Sequence, residues 1–239
     1  MSSGTVAQIC HLMSSYGSKL AWTHAHDCLC AARVHCLAQR QHELVRQKGH
    51  ESVVDCMRAH PTSELVQRAG CEVLGLLAGG PNGLQQVVFE AGALPAVLDA
   101  CEVFFESEGV LGAAFHTISN MCAAAGDGDD PEGCMRKQCA VELHALEVIS
   151  EGMVSVPRAK WLQEAGVVAV GCLCTGLDTN AHYRRRRAKE VGAIQCTLRA
   201  MKEFPPDLAA EAHATAYRAA CVTVQQVHDG KLRSEGPRQ

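Results

Sequence analysis

The chain has 239 residues, a formal net charge of −4 and a pI near 6.3, with 47% apolar residues and only 4% aromatics. That length is enough to bury a sizeable core, and the mild negative charge gives no global reason to expect nucleic acid or an anionic membrane as a partner. With so few aromatics the core must be built from Ala, Val, Leu and Cys, which favours helix packed on helix.

In chain order, GTVAQICHLM from Gly4 carries apolar residues at helical spacing and predicts a first helix. THAHDCLCAARVHC, 23–36, predicts a second, with His24, Cys28 and His35 on one face. The polar piece QHELVRQK then leads into GHESVVDCMRAHP from Gly49 and LVQRAGCEVLGLLA, 65–78. The same order recurs as NGLQQVVFEA, GALPAVLDACEVF from Gly92 and GAAFHTISNMC, 112–122. It recurs again as EGCMRKQ, CAVELHALEVI from Cys139 and WLQEAGVVAVGCLC, 161–174. The last round is YRRRRAKEV, GAIQCTLRAMKEF from Gly192 and AEAHATAYRAAC, 210–221. Each round predicts a short helix, a turn at Gly, a middle helix, a loop and a longer last helix.

The last helices match one another in sequence. A shift of 96 residues places Gln67 on Gln163, Gly70 on Gly166, Gly75 on Gly171 and Leu77 on Leu173. A copy between them places Ala114 on Gly70 and Met121 on Leu77. A helix triplet recurring every 43 to 52 residues is the pattern of an α-solenoid, in which each unit covers the apolar face of its neighbour.

These residues resemble the armadillo repeat. The resemblance is carried by the Gly-Ala-Leu and Gly-Ala-Ile starts at Gly92 and Gly192, the VVDCMRAHP run, the Gln-x-Ala-Gly starts at Gln67 and Gln163, and Ile118-Ser119-Asn120-Met121. It implies an all-α, right-handed superhelical solenoid of about five helical repeats over 1–226. The units lie near 1–38, 39–79, 80–124, 132–175 and 180–226, and a polar tail covers 227–239.

In armadillo proteins the last helix of each unit lines a concave groove, and in the importin type ladders of Trp and Asn there hold an extended peptide. Carried over by position, the Asn ladder falls here on Cys36, Leu76, Asn120, Cys172 and Ala219, and the Trp ladder on Ala32, Glu72, His116, Val168 and Thr215. Only Asn120 keeps the family residue, which speaks against import-signal binding. The groove residues expected to choose a protein partner are Glu72, His116 and Asn120.

Other candidate sites are weighed against a plain structural role. The run Arg184, Arg185, Arg186 and Arg187 could form a basic patch for an acidic ligand or serve as a nuclear-import signal. Because four consecutive residues point all around a helix, at least one stem must lie against the protein. The His/Cys-rich stretch 23–36 falls on a repeat helix, and with no CxxC or HExxH anywhere a metal site is not expected. The loop AGDGDDPEG, 125–133, lacks the spacing of a calcium loop and reads as an excursion between units. No GxSxG, Walker or dinucleotide pattern occurs, so neither an enzyme nor a cofactor is expected.

Fourteen cysteines in a chain of this length without a secretory leader suit a reducing compartment better than a disulfide scaffold. The expectation is an intracellular protein, cytoplasmic first and organellar second, since the first 26 residues carry no acid. The run Ala165–Leu177 is too short and Gly-rich to span a bilayer. Neither end reads as a polar cap. The expected function is therefore a non-enzymatic protein-protein interaction scaffold, as an accessory subunit of a larger assembly. A free adaptor with a transient partner comes next, and a thiol-rich metal or redox protein is a distant third.

Overall fold

The computed structural model describes residues 41–79, 84–123, 130–205 and 211–231. The helix expected from Gly4, the His/Cys-rich stretch 23–36, the loop segment 124–129 and the tail beyond 231 lie outside them. Among the described residues every regular element is a helix, and none is long and apolar enough to cross a membrane.

After helical backbone over 41–46 come α1 (Gly49–Ala59) and α2 (Glu64–Ala78). Then follow α3 (Gln85–Glu90), α4 (Ala93–Val103) and α5 (Glu108–Cys122). The next three are α6 (Pro131–Glu142), α7 (Ala145–Ser155) and α8 (Lys160–Cys174). The last are α9 (Ala181–Glu190), α10 (Ala193–Glu203) and α11 (Glu211–His228). The long helices pack in sequence order, α5 between α2 and α8 and α8 between α5 and α11. The middle helices α1, α4, α7 and α10 also neighbour one another in order.

One backbone device opens each middle helix among the described residues. Lys48, Gly92, His144 and Gly192, each just before α1, α4, α7 and α10, adopt left-handed conformations with φ between 57° and 79°. Only at Gly92 and Gly192 does the residue type suit that conformation without cost. In the first of these turns Lys48 takes the left-handed position and Gly49 begins the helix. The fourth unit corrects the expectation from Cys139: residues 139–142 close the short helix α6, and the middle helix begins at Ala145 behind His144. Without a glycine to mark the turn, the sequence pattern slid forward by about half the helix.

The repeat is visible in the hydrogen bonds as well. Gln67 Nε2 donates to the carbonyls of Met57 and His60, each at 2.8 Å, at the end of α1. Gln163 Nε2 does the same to Met153 at 2.8 Å and Val156 at 3.0 Å, at the end of α7. Both amides are buried and bond carbonyls at the helix end, where the cap and loop N–H groups also donate, as His60 does to Met57 and Ser63 to His60. In each unit the methionine on the same turn, Met57 or Met153, lies over a glycine, Gly70 or Gly166, where an added Cβ would clash with its sulfur.

Close approach of the long helices depends on a second pair of glycines. A Cβ on Gly75 would lie 2.6 Å from Thr117 Oγ1, and one on Gly171 would lie 2.8 Å from the Ala220 Cα. Side chains such as Leu74, Phe115, Ile118, Leu162, Val167 and Leu173 fill the space beneath.

Two glycines separate spatial from conformational constraint. Gly171→Leu should destabilise by about 2 kcal/mol or more, because backbone rather than a flexible side chain blocks it. Gly192→Ala meets nothing within 4 Å and should cost only about 1 kcal/mol, from its positive φ. Urea unfolding of both variants checks the order; equal losses would remove the close-packing argument.

Candidate functional site

The residues predicted for the groove sit on neighbouring long helices. On α2 Glu72 and Leu76, on α5 His116 and Asn120, and on α8 Glu164, Val168 and Cys172 are half-exposed, each set spaced by one turn. On α5 and α8 the flanking residues are buried and one stripe is left open, whereas on α2 Val66, Ala69 and Val73 are half-exposed as well. Bonds between helices set the stripes side by side: Asn120 Nδ2 donates to the Gly75 carbonyl at 2.9 Å, and Cys172 Sγ to the Ser119 carbonyl at 3.5 Å.

Within this face Asn120 Nδ2 also lies 3.3 Å from His116 Nδ1. Glu72 accepts from Arg68 Nε at 2.9 Å one turn earlier. At the far end Trp161, exposed over two fifths of its surface, lays its ring on Gly112 and donates from Nε1 to the Glu108 carboxylate. Leu65, its repeat equivalent on α2, is exposed over about three quarters. The sequence reading named Glu72, His116 and Asn120 but passed over Trp161, although the internal alignment already placed it on Leu65.

The Arg run divides. Arg184 is fully buried and donates to the Leu173 and Thr175 carbonyls, both at 2.9 Å, and to both oxygens of Asp178 at 2.8 and 2.7 Å. Arg185 is also buried and donates to the Cys174 and Gly176 carbonyls. Both guanidinium groups thus close the C-terminal end of α8, where orphan carbonyls and the helix dipole favour a cation. Only Arg186 and Arg187 face outward, paired with Glu190 and with Glu147 and Glu190 respectively. The surface basic patch is therefore two residues rather than four. It lies on α9, which packs on α6, α8 and α10, whereas the groove trio sits on α2 and α5.

An earlier unit repeats the device. Arg136, buried on α6, donates to the Met121 carbonyl at 2.7 Å, to Gln86 at 2.9 Å and to Asp130 at 3.4 Å. Asp130 and Asp178 each precede their arginine by six residues. That spacing was legible in the sequence and marks a structural arginine. Asp130 further caps α6 by accepting from the Gly133 N–H at 2.8 Å, so residues 131–133 of the expected loop 125–133 are the start of a helix.

The ten described cysteines are free thiols. Burial raises the pKa of Cys71 and Cys174 to about 12 and that of Cys101 and Cys122 further still. Such thiols are poor nucleophiles and poor metal ligands. Among the described residues no three His, Cys, Asp or Glu side chains converge closely enough to hold a metal ion. Compared with models of known families, with curated proteins and with solved structures, the chain returns no match.

The Arg184 hydrogen bonds hold the Asp178 carboxyl well below the usual carboxylate range. A depressed pKa contributes stability above the unfolded value of about 4 that is lost as pH falls toward the folded value. Asp178→Asn should lower stability at neutral pH and flatten the acid limb below about pH 4. Urea unfolding at both ends of that range checks it; an unchanged acid limb would count against the pair. Thiol titration with an aromatic disulfide at neutral pH should modify the partly exposed Cys139 and Cys196 before Cys71, Cys101, Cys122 and Cys174, which should react only on unfolding. Rapid labelling of the buried four would contradict the packing.

Proposed function

We propose that the chain is a non-enzymatic protein-binding scaffold, an armadillo-like right-handed solenoid whose long-helix face receives a protein partner. The observation that carries this reading is the sequential packing of α2, α5, α8 and α11, with half-exposed residues one turn apart on each of α2, α5 and α8. A stack of that kind offers a long preformed surface, so binding needs little reordering of the scaffold. Polar selectivity would come from Glu72, His116 and Asn120, and apolar contact from Leu76, Val168, Trp161 and Leu65.

The fixed-subunit form of this reading is favoured over a transient adaptor by the large apolar side chains left open. Phe105, Val154 and Leu177, like Leu65, are each more than half exposed, and Trp161 is exposed over two fifths. Scattered apolar residues are ordinary on a surface, but several large ones at element ends suit a permanent contact. The outward pair Arg186 and Arg187 remains a secondary contact for an acidic segment.

The test is affinity purification of the tagged chain under reducing conditions, beside the double variant Glu72→Lys and Val168→Glu. A partner present in stoichiometric amount with the parent should be lost with the variant, at unchanged thermal stability. Retention of the same partner by a folded variant would sink the groove reading. Migration of the parent as a free monomer in a gentle extract would sink the fixed-subunit form.

A further inference from the structure

A cleft of about 420 Å³ opens between α1 and α3, lined by His50, Glu51, Asp55, Val87, Glu90 and Ala91. It shares no lining residue with the groove. Three of its six lining residues are carboxylates, and none is a cation. Lys48 reaches Glu51 from outside at 3.3 Å, and Gln86 donates to Glu90 at 2.9 Å. Asp55 and Glu90 are exposed.

The fourth polar group is of a different kind. His50 is only 5% exposed, and its Nδ1 is buried with no hydrogen-bond partner. Burial holds its pKa below the ordinary value, so the ring is neutral at physiological pH and one of its nitrogens is an acceptor. The three carboxylates are acceptors only, and the neutral His50 ring adds one acceptor nitrogen and no charge. Val87 and Ala91 add an apolar strip between the acids. The carboxylates do not converge on one point as a metal ion would require. The combination suits a cation with spread donors on an aliphatic stem, which is the chemistry of a lysine or arginine side chain.

We propose that this cleft receives a lysine or arginine side chain from a basic segment of a protein partner. The inference goes beyond the groove reading and stands or falls separately from it. A partner engaged here would touch the face formed by the middle helix of one unit and the short helix of the next.

The probe is an acetylated, amidated hexalysine peptide titrated into the full-length, isotope-labelled protein, read by amide and histidine-ring NMR shifts. Saturable shifts are expected at His50, Asp55, Val87 and Ala91. The double variant Asp55→Lys and Glu90→Lys should bind about tenfold more weakly or less. The isosteric pair Asp55→Asn and Glu90→Gln serves the same purpose if the lysine pair fails to fold. A control with equal charge change on other helices, Glu142→Lys and Glu203→Lys, should alter affinity by no more than about twofold. Non-saturable shifts, or equal weakening in the control, would reduce the effect to diffuse charge and overturn the proposal. Binding of free spermine as tightly at the same amides would overturn the assignment to a protein segment. Variants at Glu72 and Val168 leave this readout untouched, so it is separable from the groove test.

Discussion

A stack of short helices has a recurring problem: each helix end presents carbonyls that no residue of the same helix can satisfy, and in the interior water cannot reach them. This chain answers it with long polar side chains sent in from the next helix. Gln67 and Gln163 close the ends of the middle helices, and Arg136 and Arg184 close the ends of the long ones. The rest of the arrangement depends on those closures. They fix where each helix stops, hence which residues of the long helices face their neighbours and which are left open. An isolated buried guanidinium would be costly, but Arg184 meets four acceptors including a bidentate carboxylate, so its charge is matched where it is buried.

The same logic gives the open face its character. Because the long helices meet through Gly75 and Gly171, their axes come close and the stripes between them are narrow. His116 and Asn120, one turn apart, share a face by helix geometry, and the close approach at Gly75 lets Asn120 reach the Gly75 carbonyl. Part of the polar capacity of the face is thus spent inside the scaffold. The outer edges of Glu72, His116 and Asn120 stay half-exposed on this face, set among apolar side chains.

Much of the helical plan was legible in the sequence because the unit repeats. The pairs Gln67 with Gln163 and Gly75 with Gly171 were matched by alignment, and the structure gives each pair the same partners or the same crowding. The boundary near Cys139 was misplaced because the turn there is made by His144, whose left-handed preference is far weaker than that of the glycine that marks the turn at Gly92 and Gly192. The Arg run was read as a four-residue basic patch with at least one stem lying inward. Two do, since α9 offers adjacent positions to the end of α8. The cleft at His50 was invisible, because it joins residues about forty apart whose approach is set by packing rather than by any local pattern.

The division of the Arg run bears on when the chain can be read by other proteins. Four contiguous arginines form a linear address only while residues 184–187 are extended and all four side chains are accessible. Once α9 docks on α8, Arg184 and Arg185 are locked into main-chain carbonyls, and a receptor that grips consecutive basic side chains finds half of them gone. In the folded protein residues 184–187 therefore present two outward arginines and not a linear tetrad.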